Sequence, residues 1–487
     1  MKKRDLAIVA RLVADFLYFF GYLLLLPAII GLAMGEYRQA LVFGLGAAAI
    51  VPTFYVLRRK TSSGEVERRH AAITLAVVWT LLSLLSSLPF GLYGIAWIDA
   101  LFESFSAWTD TGLTMVPHPG ELPYSLSTFR ILMQWISGLG IVLFMLGVQG
   151  PSPRAARSLF AAEGRFEDFA TNLWQVGRTV VLIYVGYTVL GFVALLLSGI
   201  PPFHALTHAA SSLSTGGFST NSVGVGLYGM LPSAIAMALM LGGGISFSSH
   251  QALVTGNLKK FFRNPEVRVL FVVILVASGL LFAEQLLFVE PSGGTGQMKP
   301  QYGQRLFDSV FYVISSISTC GAGTVLPLSQ VPPVFRFTVF LLMISGAVYG
   351  STTGALKLWR LIIIGKVIGR EIRLPFYPTG TAMPIRMGSN LITDSLALQV
   401  ATYALLYLGV GLMGSLVFML FGYGSLDALF TVFSAQGNVG LNAMPDALYY
   451  GMHPALKGQL ILHMLIGRME IFPLLHLLHG ARDLMDL

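Results

Sequence analysis

The sequence predicts an all-α membrane protein in which four copies of one unit surround a central pore, preceded by a two-helix hairpin. Each unit is a spanning helix, a short re-entrant pore helix and a second spanning helix. Three observations carry this reading. Of the 487 residues, 55% are hydrophobic and only 11% charged, too apolar for a water-soluble surface. A pattern recurs: Gly112, Gly217, Gly321 and Gly440 follow Asp99, His204, Asp308 and Asp427 by the same interval (112−99, 217−204, 321−308 and 440−427 all give 13). Ser106, Ser211, Ser315 and Ser434 stand six before each glycine, and Phe102, Thr207, Phe311 and Phe430 ten before. Finally, the run ahead of each glycine is about a dozen residues, or roughly 18 Å of helix, too short to cross a core of about 30 Å. It must enter and leave on one side.

The elements follow in order. Residues 1–70 hold the leading hairpin, with its turn near Gly35 and Glu36, and Arg11 and Asp15 are spaced i,i+4 for an ion pair. Repeat 1 covers 71–150, repeat 2 covers 151–256, repeat 3 covers 257–370 and repeat 4 covers 371–487. The second exit helix reads as continuous from Met230 to Thr255, with Gly242 to Gly244 marking close packing. In the third, Ser345 to Gly354 interrupts an apolar helix with glycines and hydroxyls, so this backbone must line a cavity or pack within protein. A flexible constriction is the preferred reading, since the stretch lies opposite Arg468 and Glu470 on the last helix. Those two charges lie mid-helix, where each costs about 2.5 to 3.5 kcal/mol to insert, and so face the interior.

The net charge of +8 comes from short basic clusters between apolar spans. It is a topology signal rather than a nucleic-acid footprint, and the positive-inside rule puts both termini in the cytoplasm. The single cysteine, Cys320, excludes an intrachain disulfide. The first apolar run continues past Pro27 without a small-residue cleavage site and is read as a retained helix. GVGLYG at 224–229 matches a dinucleotide fingerprint by letter but opens no βαβ unit, and the chain has no nucleotide site of its own. His204 and His208 have metal-ligand spacing without a third ligand, and His463, His476 and His479 lack an HExxH frame; an enzyme is a distant reading.

The repeated stretch has a physical use. An acidic residue at the start of a short helix satisfies free N–H groups and suits the positive end of the dipole. Four C-terminal ends then face one point and favour a cation, while carbonyls of the glycine turns replace its lost water. No carboxylate need coordinate, which suits a large, weakly hydrated monovalent ion better than Ca²⁺ or Mg²⁺. Asp110 is the odd member among Thr215, Thr319 and Asn438; it either draws cations to the outer mouth or caps the local turn.

The motifs TDTGLT, STGGFST, STCGAGT and GNVGLN, with SGAVYGSTTGALK and the final IGRMEIF, resemble the TrkH/KtrB family of bacterial potassium-uptake proteins over nearly the whole chain. The leading hairpin is similar to the extra pair on the TrkH side of that family. The resemblance implies a selectivity filter of Asp110, Thr111, Gly112, Thr215, Gly216, Gly217, Thr319, Cys320, Gly321, Asn438, Val439 and Gly440. K⁺, the transported ion, would bind the carbonyls of Thr111, Gly112, Gly216, Gly217, Cys320, Gly321, Val439 and Gly440. It also implies an intramembrane gate of Ser345, Gly346, Gly350, Ser351, Thr352, Thr353, Gly354 and Lys357, faced by Arg468 and Glu470. Partners implied are a second copy in a homodimer, a cytoplasmic TrkA/KtrA-like nucleotide-binding regulatory subunit and the lipid bilayer of the cytoplasmic membrane, with no nucleic acid. The sequence departs from the family where GGG is usual and Thr352, Thr353 and Gly354 stand, and where Tyr349 replaces a small residue. Alternatives are a Na⁺/K⁺ symporter and, further off, a secondary transporter of small organic solutes, which predicts two related halves rather than four copies.

Overall fold

The computed structural model describes residues 3–61, 66, 68–140, 173–287, 302–378, 381, 383–388 and 390–469. Arg154, Arg157 and Arg165 of the basic clusters, together with Glu470, His476 and His479, lie outside them, as do residues 141–148, where the sequence predicts the rest of the first exit helix. Among the described residues the fold is helical, apart from one antiparallel hairpin pairing Ile385–Met387 with Asn390–Ile392. Among the described residues, six helices are long and apolar enough to cross a membrane, with a seventh span if one bent pair is counted together.

Lys3–Leu23 and Leu25–Ala33 form the first span, and Tyr37–Lys60 returns beside it. Asp15 bridges the pair through Arg11 at 3.5 Å and Arg58 at 2.8 Å. The hairpin is bound to the next unit by its turn. Glu36 accepts from the backbone N–H groups of Tyr124 (2.6 Å) and Ser125 (2.9 Å) and from the Ser125 hydroxyl (2.5 Å). These are free donors at the start of Tyr124–Leu139, so a residue remote in sequence caps that helix.

The remaining helices come as entry, short and exit elements. They are Arg68–Tyr93, Trp97–Trp108 and Tyr124–Leu139; then Leu173–Leu197, Pro202–Ser214 and Met230–Gly244. The third set is Pro265–Leu287, Tyr302–Ile317 and Pro333–Ser345, and the fourth is Asp394–Leu420, Ser425–Gln436 and Pro454–Met469. Each short helix packs on the preceding exit helix, and the first packs on the last, Pro454–Met469. The arrangement therefore closes on itself. The short helices are buried along their C-terminal halves, and Phe102, Phe311 and Phe430 of the repeated pattern are wholly enclosed.

The second exit helix differs from the continuous span expected. It stops at Gly244 and resumes as Phe247–Val254, bent by 112°. Ser246 caps the new start by accepting from Ser249 N–H. The break survives because another segment meets its free carbonyls: Thr352 N–H donates to Gly243 O and Val348 N–H to Gly244 O, both at 3.1 Å. In return Phe247 N–H donates to Gly350 O at 3.4 Å. The third exit helix is interrupted as expected, between Ser345 and Leu358, and its lower half is Leu358–Arg373.

The acidic residues at the short-helix starts do not act as caps. Asp99 lies in the first turn but pairs with Lys457 of the last exit helix at 2.5 Å, and Asp427 pairs with Arg336 of the third at 3.7 Å. Asp308 falls beyond the first turn, because its helix begins at Tyr302, and accepts from Gln304. The first two still suit the helix dipole, but their main contact joins neighbouring units.

Candidate ion pathway

The four turns share one backbone form. In each, the carbonyl of the repeated serine accepts the N–H of the residue before the glycine: Ser106 from Thr111, Ser211 from Gly216, Ser315 from Cys320 and Ser434 from Val439, at 2.9 to 3.0 Å. The Ser315 and Ser434 hydroxyls also donate to Ala322 O and Leu441 O, at 2.7 Å in both turns. Two before each glycine the chain takes a left-handed conformation without glycine: Asp110, Thr215, Thr319 and Asn438 have φ between 51° and 63°. Such residues cost about 1 kcal/mol or more apiece and persist only where their surroundings impose them. Ala355 and Lys357 are the two other such non-glycine residues among those described. All six lie in the turns or in the segment beneath them.

The glycines themselves form a ring. A Cβ on Gly112 would collide with Gly216 O, one on Gly217 with Cys320 O, one on Gly321 with Val439 O, and one on Gly440 with Thr111 O. Each turn thus meets the next, and the fourth meets the first. All four glycines have φ between 71° and 94°, so any side chain is both strained and blocked.

The segment 346–357 lies directly under this ring, on the side of the left-handed residues. Thr352 Oγ1 shares a hydrogen bond with Thr215 Oγ1 (2.9 Å) and donates to Gly243 O (3.0 Å). Gly354 N–H donates to Thr319 Oγ1 at 3.0 Å, and a Cβ on Gly354 would strike Gly437 O and the Asn438 side chain. Ser351 and Thr353 share a hydrogen bond at 2.8 Å, while Ser345 Oγ donates to Leu342 O. The segment closes on its own flanks: Leu356 N–H donates to Ile344 O, Leu358 N–H to Ala347 O, and Gly346 lies where a Cβ would touch Gly354 O. Lys357 places its ammonium 5.4 Å from the Tyr349 ring centroid. Tyr349 turns sideways, with its N–H on Glu266 Oε2 at 2.7 Å and its ring against Trp359.

Arg468 reaches the same place from the last exit helix. Its guanidinium donates to Thr352 O at 3.3 Å and to Ser137 O, and lies 5.6 Å from the Trp79 ring centroid. Asn438 binds Thr111 Oγ1 and Met464 O, both at 2.9 Å, joining the fourth turn to the first. Asp110 is buried, with Oδ1 pressed toward Gly216 of the second turn rather than exposed at a mouth. Cys320 is buried in the third turn. His204 bonds Thr220 Oγ1 and His208 packs edge-on against Tyr228.

Sequence reasoning missed a buried ion pair behind the first turn. Arg130 Nε and Nη2 both lie 3.0 Å from Glu103 Oε2, with the side chains 2% and 0% exposed. Glu103 Oε1 accepts from Thr114 Oγ1 (2.5 Å) and Met115 N–H (2.6 Å), which pins the segment leaving Gly112. The guanidinium also stacks 4.1 Å from the Phe218 ring centroid, next to Gly217. Two charges in otherwise apolar spans were the available signal.

The family model described as "Cation transport protein", TrkH, matches residues 38–479. An uncharacterised cation transporter of Methanocaldococcus jannaschii is 26% identical over 98% of this chain and 96% of its own. The Trk system potassium uptake protein TrkH of Halomonas elongata is 28% identical, covering 96% of this chain and 97% of its own. The crystal structure of the potassium transporter TrkH from Vibrio parahaemolyticus superposes with a TM-score of 0.84 at 24% identity, over 98% of this chain and 99% of that one. The apolar helices and this match over most of the length lead to one conclusion: the chain belongs to the TrkH family of cation transport proteins.

Proposed function

We propose that the chain conducts K⁺ into the cell, down its electrochemical gradient, through the ring of four glycine turns. The observation that carries this reading is the cyclic contact of each glycine with the preceding carbonyl of the next turn, closing from Gly440 to Thr111. Main-chain oxygens converging at one point replace water around a weakly hydrated ion, and four short helices direct their negative ends at the same place. The potassium-uptake names of the relatives agree with that cargo.

In this reading the filter comprises residues 110–112, 215–217, 319–321 and 438–440, with K⁺ at the carbonyls of Thr111, Gly112, Gly216, Gly217, Cys320, Gly321, Val439 and Gly440. The segment 346–357 is the gate, because it occupies the space under three of the turns. Arg468 acts in two ways: it ties the gate to the first exit helix and raises the energy of a passing cation. At about 10 Å and an effective dielectric of 20 that rise is about 1.7 kcal/mol, enough to slow conduction without blocking it. Glu470 is assigned here by sequence alone. A homodimer, a docked nucleotide-binding ring on the basic cytoplasmic loops and cytoplasmic termini complete the proposal.

The test is Rb⁺ or K⁺ uptake into liposomes holding the purified chain. Uptake that Gly112→Asp or Gly440→Asp abolishes supports the reading; no uptake, or uptake indifferent to both substitutions, rejects it.

A further inference from the structure

The four turns are alike in backbone but not in what stands behind them. Counting from the first residue of each exit helix (Tyr124, Met230, Pro333 and Pro454), the same position holds Gln134, Met240, Met343 and Met464 (134−124, 240−230, 343−333 and 464−454 all give 10). All four side chains are fully buried. Counting from the turn glycines instead gives Leu239, Met343 and Leu462 opposite Gln134, again apolar (134−112, 239−217, 343−321 and 462−440 all give 22). One unit alone carries an amide there, and a buried amide without partners is costly.

Gln134 spends both ends of that amide on the second turn. Nε2 donates to Gly216 O at 2.5 Å, and Oε1 accepts from Phe218 N–H at 3.2 Å and Ser211 Oγ at 3.4 Å. The side chain of one unit therefore spans the next unit's turn, from Ser211 to Phe218, with its two amide ends on either side of Gly217. Gly216 O is also the oxygen that a Cβ on Gly112 would strike, so it belongs to the ring.

We infer that Gln134 is a specificity-determining positioning residue: its amide holds Gly216 O and withdraws electron density from one of the four ring carbonyls. This rests on the reading of that ring as a K⁺ filter. A carbonyl that already accepts a hydrogen bond presents a weaker field, and a weaker field favours the larger, more easily dehydrated alkali ion. Where the other three units place methionine, this one adjusts the ring from behind.

The experiment compares wild type, Gln134→Met and Gln134→Asn in liposomes, reading the Rb⁺/Na⁺ permeability ratio in the same vesicles so that protein yield cancels. Met restores the residue of the other units, while Asn keeps the amide but withdraws it by one methylene. Both are expected to lower the ratio by about three- to tenfold, the range of one buried hydrogen bond. The melting temperature in KCl minus that in NaCl should shrink in parallel, a readout that needs no flux and that general loosening of the fold would not change selectively. A ratio and a melting difference both unchanged in a folded variant overturn the inference while leaving conduction standing. Absence of Rb⁺ flux in wild type removes the filter reading itself, and this inference with it.

Discussion

The N–H of Thr352 donates to the carbonyl of Gly243 at 3.1 Å, and the Thr352 hydroxyl donates to the same oxygen at 3.0 Å. Two broken exit helices thus satisfy each other. A helix interrupted within a membrane leaves carbonyls that lipid cannot solvate, so the break in the second unit depends on the break in the third. If segment 346–357 is the gate, its opening must also release Gly243 and Gly244.

Thr352→Val tests that dependence. It keeps the backbone bond and the shape but deletes the hydroxyl links to Gly243 and Thr215. Initial Rb⁺ uptake is expected to rise severalfold, with a ceiling of about thirtyfold if about 2 kcal/mol of hydrogen bonding is lost. Uptake at the wild-type level would mean that these bonds do not hold the segment shut.

Glu103→Gln leaves the Arg130 guanidinium without a countercharge in a dry site, a loss of about 3 to 5 kcal/mol. Thermal unfolding in detergent should register a large drop. In Glu103→Gln/Arg130→Met the charge is gone while an acceptor remains for Met115 N–H, so most of the loss should return. A double variant no better than the single would assign the damage to the Thr114 and Met115 contacts instead.

Two glycine substitutions separate conformational need from spare space. Gly217→Ala puts a side chain at φ 73° against Cys320 O and is expected to abolish uptake. Gly186→Ala, in the entry helix Leu173–Leu197 with nothing within 4 Å of the added methyl, should fold and conduct as wild type and gain up to about 1 kcal/mol of helix propensity. Equal uptake by the two variants would count against the ring.

Glu36→Ala removes the acceptor at the start of Tyr124–Leu139. About 1 to 2 kcal/mol of capping is lost, and hydrogen exchange at the amides of 124 and 125 should accelerate accordingly. Unchanged exchange there would show that the hairpin is held by its apolar contacts, such as Phe43 on Phe129 at 5.0 Å, rather than by the cap.

The part of this architecture that is legible in residue order follows from local constraint. Apolar spans of membrane length, short runs ending in Gly112, Gly217, Gly321 and Gly440, and the polar break at 345–354 are written in residue type and spacing, because helix length and backbone freedom depend on near neighbours. The left-handed backbone at Asp110, Thr215, Thr319 and Asn438 was invisible, since threonine and aspartate do not by themselves demand it. The bend after Gly244 was equally hidden: three glycines serve close packing as readily as a break, and the partner that decides between them, Val348 to Thr352, lies about a hundred residues away. Only the tertiary structure could turn Asp99 and Asp427 from helix caps into ties between units, unite Glu103 with Arg130, and bring Gln134 to Gly216. Each of those contacts satisfies a charge or amide withdrawn wholly or partly from water, and which group does so depends on what the closed ring brings within reach.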